Sequence, residues 1–125
     1  MKYLGLDWGM KKIGMAVSNG QLSSSFGTLE VSSFEQAIQK VIDVVKKENV
    51  ETVVIGLPEG EMGKAVLKVS NRLSAEGVEV ELADETLSSK NAVQTMITLG
   101  TSKKARKEDH SMAAVLLLQD YLDTH

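Results

Sequence analysis

Several absences limit what this 125-residue chain can be. It contains no cysteine, so disulfide bridges and thiolate-bound metals are excluded. It has one proline and only 4% aromatic residues, and no apolar run approaches the length that spans a membrane. No charged leader followed by an apolar signal core is visible at the start of the sequence. We therefore expect a soluble, cytoplasmic protein without a membrane partner, folded as a single domain over residues 1–125.

The residues that are present have the balance of a globular protein. The apolar fraction is 42% and the charged fraction 25%, which is ordinary for a soluble domain with a core. The net charge of −3 argues against a protein that coats nucleic acid through charge alone. A local basic patch remains compatible with this charge.

Apolar segments of strand length recur along the chain. The sequence predicts strands at 2–6 and 12–18, joined as an antiparallel hairpin by the short "DWGMK", and a third strand within "SSFGTLEV". The continuous apolar run in "ETVVIGLP" is typical of a strand covered on both faces. The alternating "VEVELAD" is a fifth strand.

Helical periodicity fills the segments between and after these strands. "SFEQAIQKVIDVVKKEN" is predicted as a helix capped by Ser32 or Ser33. "MGKAVLKVSNRLSAEG" is a second helix, closed by Gly77. "SSKNAVQTMITLG" and "HSMAAVLLLQDYLD" are two further helices, and "PEGEMG" is predicted as a flexible loop. The order favours an α/β fold with a mixed sheet, whose later strands are parallel.

Carboxylates follow two of the predicted strands. Asp7 comes just after the first strand, and Asp84 and Glu85 come after "VEVELA". If these strands run the same way, their ends open at one edge of the sheet, where ligands of α/β folds bind. Acidic groups brought together repel unless a divalent cation such as Mg²⁺ or Mn²⁺ neutralises them. The alternative is that each carboxylate is a turn or capping residue.

The residues beside Asp7 support a tight turn. Gly9 lets the backbone turn closely and lets a phosphate or metal approach. Trp8 could stack on a base, but packing in the core or the turn is the favoured role for a lone tryptophan.

Four motifs in this order resemble the YqgF family: "LGLDWGMKKIGMAVS", "VVIGLP", "DETLSS" and "MAAVLLLQDYLD". Members are known as Holliday junction resolvases or pre-16S rRNA nucleases. The resemblance runs nearly end to end and implies an RNase H-like fold: a five-stranded mixed sheet, antiparallel in its first three strands and parallel in the other two, with helices on both faces. It also implies metal-dependent cleavage of phosphodiester bonds in structured nucleic acid, with pre-16S rRNA favoured over DNA junctions.

The resemblance also implies a set of metal-binding catalytic residues. Asp7 matches the acid of the first strand, and Glu85 matches the acid of the family's "DERLS" motif. The third acid of the family stands just before "AAV", where this chain has His110, with Asp109 one residue earlier. Both residues stay candidates, although Asp109 is more simply explained as a helix N-cap. A histidine ligand would favour Mn²⁺ over Mg²⁺.

Two other departures concern the grip on substrate. Thr86 replaces the arginine of "DERLS", and the loop after "GLP" is shorter than the family pattern. Basic residues are the candidate phosphate contacts, since few aromatic rings are available for stacking. One group beside the predicted hairpin turn is Lys11 and Lys12. The other precedes the last helix and could instead be a solvated connector: Lys103, Lys104, Arg106 and Lys107.

Two rival functions remain open from the sequence. "DWGMKKIG" also resembles the first phosphate loop of actin-like nucleotide-binding proteins, but those carry two such domains. The replacement at His110 also suits a non-catalytic relative that binds RNA or a ribosomal partner. The sequence leaves open whether the protein is a monomer or a homodimer.

Overall fold

A computed structural model describes residues 2–57, 60–84 and 110–124 of the chain. Within these residues lie five strands and three helices. In chain order they are β1 (Tyr3–Trp8), β2 (Lys12–Ser18), β3 (Ser23–Glu30), α1 (Phe34–Glu48), β4 (Thr52–Leu57), α2 (Glu61–Ala75), β5 (Glu79–Asp84) and α3 (His110–Thr124). None of these helices is both long and apolar enough to cross a membrane.

The strands form one mixed sheet in the order β3-β2-β1-β4-β5. The pairs β1–β2 and β2–β3 are antiparallel, whereas β1–β4 and β4–β5 are parallel. This is the predicted five-stranded arrangement, and it is confirmed. The carboxyl ends of β1, β4 and β5 therefore open at the same edge of the sheet, which we call the carboxyl edge.

One face of the sheet packs on α1 and α2. Leu4, Leu6 and Trp8 of β1 alternate toward this face and join its buried core, because side chains two apart in a strand share a face. Helix α1 begins as predicted: Ser33 Oγ accepts a hydrogen bond from the backbone N–H of Gln36 at 3.1 Å. A capped start fixes where this helix enters the core.

The opposite face packs on α3. Its buried core includes Ala16, Val54, Ala114 and Leu118. Val54 lies on this face while its neighbours in β4 lie on the other, so the apolar run of β4 is covered on both sides, as predicted. Helices on both faces of the sheet are confirmed.

The end of β1 and the start of α2 differ from the sequence prediction. Strand β1 extends to Trp8 rather than ending before Asp7, because β2 continues the ladder and Asp7 pairs with Gly14. Helix α2 begins at Glu61, with Gly60 at its N-cap position, so Glu61 to Gly63 of the predicted loop "PEGEMG" are helical. The predicted helix "SSKNAVQTMITLG" lies outside the described residues.

Candidate nuclease site

The three described helices all begin at the carboxyl edge. Helix α1 follows β3, whose last residue Glu30 pairs with Lys12 beside the β1–β2 turn. Helix α2 follows the carboxyl end of β4. The first residues of α1 and α2 line one cavity together with that turn. Helix N-termini carry partial positive charge, so their convergence makes this edge favourable for anions such as phosphate.

The register between β1 and α3 shows where the third helix begins. The rings of Tyr3 and Tyr121 lie 6.2 Å apart, centroid to centroid. Two residues further along β1, Gly5 faces Ala114 and Leu118. Contacts therefore move toward the start of α3 as β1 advances toward its carboxyl end.

Asp7 continues this register. It lies two residues beyond Gly5, on the same face of β1, and so falls at the level of the first turn of α3. Its side chain is half-buried. Among the described residues, nothing forms a hydrogen bond or ion pair with its carboxylate. Its cross-strand neighbour is Gly14, which has no side chain to cover it.

His110 is the first residue of α3. It stands one helical turn before Ala114, whose carbonyl oxygen lies close to β1 at Gly5. The helix therefore starts at the carboxyl edge, with His110 as its first position. Asp109 precedes it in the sequence and lies outside the described residues.

A polar seam attaches the outer side of α3 to β3. The Ser25 and Ser111 hydroxyl oxygens are 2.8 Å apart and hydrogen-bonded. At the other end of the helix, Gln119 Oε1 accepts a hydrogen bond from the Ser23 N–H at 2.9 Å. The hydroxyl oxygen of Ser23 is itself buried without a partner. This seam fixes the first turn of α3 relative to the sheet, and nothing in the sequence pattern had singled it out.

The β1–β2 turn needs glycine, as predicted. The N–H of Gly9 donates to the carbonyl oxygen of Lys12 at 3.0 Å. A Cβ atom at Gly9 would lie 2.6 Å from that oxygen, closer than side chains tolerate. Lys11 and Lys12 are exposed on this turn and form no ion pair with any described residue. Trp8 is 8% exposed and packs in the core, as expected for a lone tryptophan.

The remaining sequence candidates fall outside the described part of the chain. Among residues 2–57, 60–84 and 110–124, no group of three or more His, Asp or Glu side chains could hold a metal ion. The last described residue of β5 is Asp84, at the carboxyl edge, and Glu85 is the next residue in the sequence. The candidates outside are Glu85, Asp109, Lys103, Lys104, Arg106 and Lys107.

The opposite edge of the sheet carries a cavity of about 760 Å³. It is lined by Lys2, Asn19 and Glu48 among others. Lys2 Nζ lies 3.2 Å from Glu48 Oε1, so these charges are already paired. This cavity lies far from Asp7 and from the helix N-termini, so it is less suited to phosphate chemistry than the carboxyl edge.

Solved structures share this fold. Thermus thermophilus RuvC in complex with a Holliday junction substrate matches with a TM-score of 0.67 at 17% identity, over 99% of this chain and 94% of that one. The fowlpox virus Holliday junction resolvase matches with a TM-score of 0.65 at 10% identity, over 99% of both chains. At such low identities the likeness concerns the fold alone: the RNase H-like fold of resolvases, as the sequence predicted.

Sequence comparison adds the family. A family model described as RuvX, Holliday junction resolvase, matches residues 1–124. A Staphylococcus aureus (strain JH9) protein named "Putative pre-16S rRNA nuclease" is 36% identical, over 98% of this chain and 96% of its own length. The chain therefore belongs to the RuvX family, which is the YqgF family of the resemblance, and it is a nuclease of that family.

Proposed function

We propose that the protein is a metal-dependent endonuclease that hydrolyses phosphodiester bonds in structured RNA, with the precursor of 16S rRNA as its first candidate substrate. The observation that carries this proposal is the environment of Asp7. Its carboxylate is half-buried at the carboxyl edge, level with the start of α3, without a partner among the described residues. We further propose that the protein acts in the cytoplasm as one domain over residues 1–125.

The chemistry of the donor set fits a divalent cation. Burying a carboxylate without a partner costs free energy, and a bound cation offsets that cost. Carboxylate oxygens are the ligands that Mg²⁺ and Mn²⁺ prefer. Asp7 and Glu85 would hold the ions, with Asp109 or His110 as the third ligand. When bound, such ions supply a water nucleophile and stabilise the charge of the departing oxygen.

The remaining residues act on the substrate. Asp7 lies within a strand that is paired on both sides, so its position is rigid, which a catalytic group needs. Lys11 and Lys12 are free to contact phosphates beside it. The helix N-termini at this edge stabilise phosphate charge further. The basic group at Lys103, Lys104, Arg106 and Lys107 would add contacts to the same backbone.

A DNA four-way junction is the second candidate substrate. It is favoured by the fold shared with RuvC in complex with a Holliday junction and by the description of the family. The name of the Staphylococcus aureus relative favours RNA instead. That relative is 36% identical against 17% for RuvC, so we place RNA first.

A cleavage assay with two substrates tests the proposal. The purified chain is incubated with a labelled RNA stem carrying a 16S rRNA precursor end, and separately with a DNA four-way junction, in Mg²⁺ or in Mn²⁺. We expect faster cleavage of the RNA, and none when the metal is chelated. Cleavage of the junction alone would reverse the order of substrates, and cleavage unaffected by chelation would refute metal dependence.

The same assay addresses His110. If it is the third ligand, Mn²⁺ supports faster cleavage than Mg²⁺, and His110→Ala reduces the Mn²⁺ rate strongly. If Asp109 is the ligand, Asp109→Asn has that effect and His110→Ala does not. Equal cleavage with both ions and no effect of His110→Ala would remove His110 from the site.

A further inference from the structure

A cavity of about 490 Å³ opens on the carboxyl edge between the β1–β2 turn and the first turns of α1 and α2. Its walls are mostly apolar and include an aromatic ring from each of two elements. The residues that matter here are Trp8, Met10, Val31, Phe34, Glu61 and Met62. A cavity of this size accommodates a small planar group.

Two apolar side chains at this cavity face solvent. Met10 is 85% exposed at the tip of the turn, and Phe34 is 40% exposed at the start of α1. Large apolar side chains that are exposed to solvent around a cavity indicate a binding site rather than core packing. An apolar residue at the tip of a tight turn makes no contribution to the core, which makes Met10 the clearest sign of such a role.

The cavity adjoins the proposed nuclease site. Trp8 forms part of its wall and follows Asp7 directly in β1, on the opposite face of the strand. Adjacent Cα atoms are about 3.8 Å apart, so a chain of nucleotides passing over the β1–β2 turn reaches both places. Lys11 and Lys12 are exposed on the same turn.

We propose that this cavity receives an unpaired nucleobase of the nucleic acid held at Asp7; the inference rests on the proposed function and specifies the substrate as structured RNA with an unpaired nucleotide beside the cleaved bond. The apolar walls suit the face of a base, and stacking on an aromatic ring does not depend on which base it is. Lys11 and Lys12 on the turn attract the phosphates, so the backbone stays over them while the base enters the apolar cavity. Glu61 at the cavity is already paired with Lys64 Nζ, at 3.3 Å.

The hydroxyls near the cavity are already engaged. Ser33 Oγ caps α1, and Ser32 Oγ donates to Gln36 Oε1 at 2.9 Å. They offer little capacity for reading base edges by hydrogen bonds. The cavity should therefore distinguish a nucleotide with a base from one without, rather than one base from another.

Trp8 provides a direct probe, because it is the only tryptophan of the chain. The full chain is titrated, without divalent metal, with an RNA duplex carrying a single bulged nucleotide, and with the same duplex carrying an abasic site there. We expect quenching of Trp8 fluorescence only with the base present, and binding about tenfold tighter than to the abasic duplex. Equal affinity and equal fluorescence for the two duplexes would overturn the inference.

Matched variants localise the effect. Met10→Ala and Phe34→Ala should each reduce the difference in affinity between the bulged and the abasic duplex severalfold. Leu22→Ala and Leu67→Ala remove side chains of comparable exposure, 77% and 46%, that do not line the cavity, and should leave the difference intact. Because Met10 is highly exposed, Met10→Ala should not affect stability. It therefore tests the cavity even if Phe34→Ala lowers the stability of the fold. Equal effects of the lining and control substitutions would refute the assignment.

Three further outcomes are informative. If the chain dimerises in sedimentation and Phe34→Ala abolishes the dimer without changing RNA binding, the cavity binds a second copy and the inference fails. Base-dependent binding by a chain that cleaves no RNA would support the cavity while refuting the proposed function. Cleavage that requires Asp7, without any preference for the bulged base, would support the proposed function while refuting the role of the cavity.

Discussion

Two neighbouring positions of β1, on one face of the strand, have opposite requirements. Gly5 has no side chain, because a Cβ atom there would lie 2.8 Å from Leu118 Cβ and 3.3 Å from the Ala114 carbonyl oxygen. Asp7, two residues on, keeps a carboxylate that packs on nothing charged among the described residues. The close approach of α3 at Gly5 is what brings the start of that helix to the level of Asp7.

Gly5→Ala should therefore destabilise the protein through α3. The added methyl group must displace the helix, and overpacking of this kind costs about 1–3 kcal/mol of unfolding free energy. Urea denaturation of the variant and the wild type measures the difference. An unchanged unfolding free energy would show that α3 does not approach β1 as closely as described.

The role of single residues was only partly readable from the sequence. Asp7 and the tight turn at Gly9 could be identified because the residues next to them in the sequence indicate a strand end and a turn. Gly5 could not, because its requirement comes from Leu118, more than a hundred positions away. Met10 and Phe34 each look like ordinary apolar residues until the fold brings them to one cavity.

At the scale of elements, α3 depends on its seam with β3. Ser111 is 7% exposed and its hydroxyl bonds to that of Ser25, an exposed residue of the edge strand. Hydrogen bonds of this kind contribute about 1 kcal/mol each. The hydrogen bond between Ser25 and Ser111 fixes the start of α3 against β3. The missing side chain of Gly5 lets the same helix approach β1 closely.

Ser25→Ala should lower the unfolding free energy by about 1 kcal/mol, whereas Ser25→Thr keeps the hydroxyl and suits a strand. Thermal unfolding of the three proteins makes the comparison. Equal losses of stability in Ser25→Ala and Ser25→Thr would mean that the hydrogen bond to Ser111 is not the cause of the loss.

Helices α1 and α2 are joined by an ion pair that titrates in acid. Arg72 Nη1 lies 2.7 Å from Glu35 Oε1, and this hydrogen bond, aided by the charge of Arg72, lowers the pKa of Glu35 below its ordinary value of 4.5. Because the carboxyl pKa is lower in the folded state, the ion pair stabilises the fold fully at pH values above 4.5. The contribution is lost as the pH falls through the pKa of the folded state.

Glu35→Gln should thus reduce the melting temperature slightly at pH 7, and this difference from the wild type should shrink as the pH falls below 4.5. The effect is small because both side chains are substantially exposed to solvent. Glu51→Gln removes a carboxylate that pairs with no described residue, and serves as the control for net charge. A Glu35→Gln difference that does not shrink as the pH falls, or that Glu51→Gln reproduces, would contradict this role.

Element boundaries were predictable wherever periodicity was strong. Strand β2 was placed at its observed limits, and the cap at Ser33 and the end of α2 before Gly77 follow from local side-chain chemistry. The extension of β1 through Asp7 was not predicted, because a glycine-rich turn hides how far the partner strand continues. Which row of α3 faces β1 depends on packing between distant segments.

At the scale of the whole molecule, the parallel pairing of β1, β4 and β5 decides where chemistry can occur. It directs three strand ends to one edge, and the described helices begin there. This convergence followed from the predicted order of strands and helices together with right-handed crossovers. The complete metal-binding set is our proposal, and two of its members, Glu85 and Asp109, lie outside the described residues.

The most direct test compares single-turnover cleavage of the RNA stem in Mn²⁺ by the wild type and by Asp7→Asn, with melting temperatures measured in parallel without metal. We expect cleavage to fall about a hundredfold or more, while the melting temperature stays equal or rises, because no bond to a described residue is lost and a burial cost is removed. Cleavage by Asp7→Asn at the wild-type rate would contradict the assignment of Asp7 as the centre of the site.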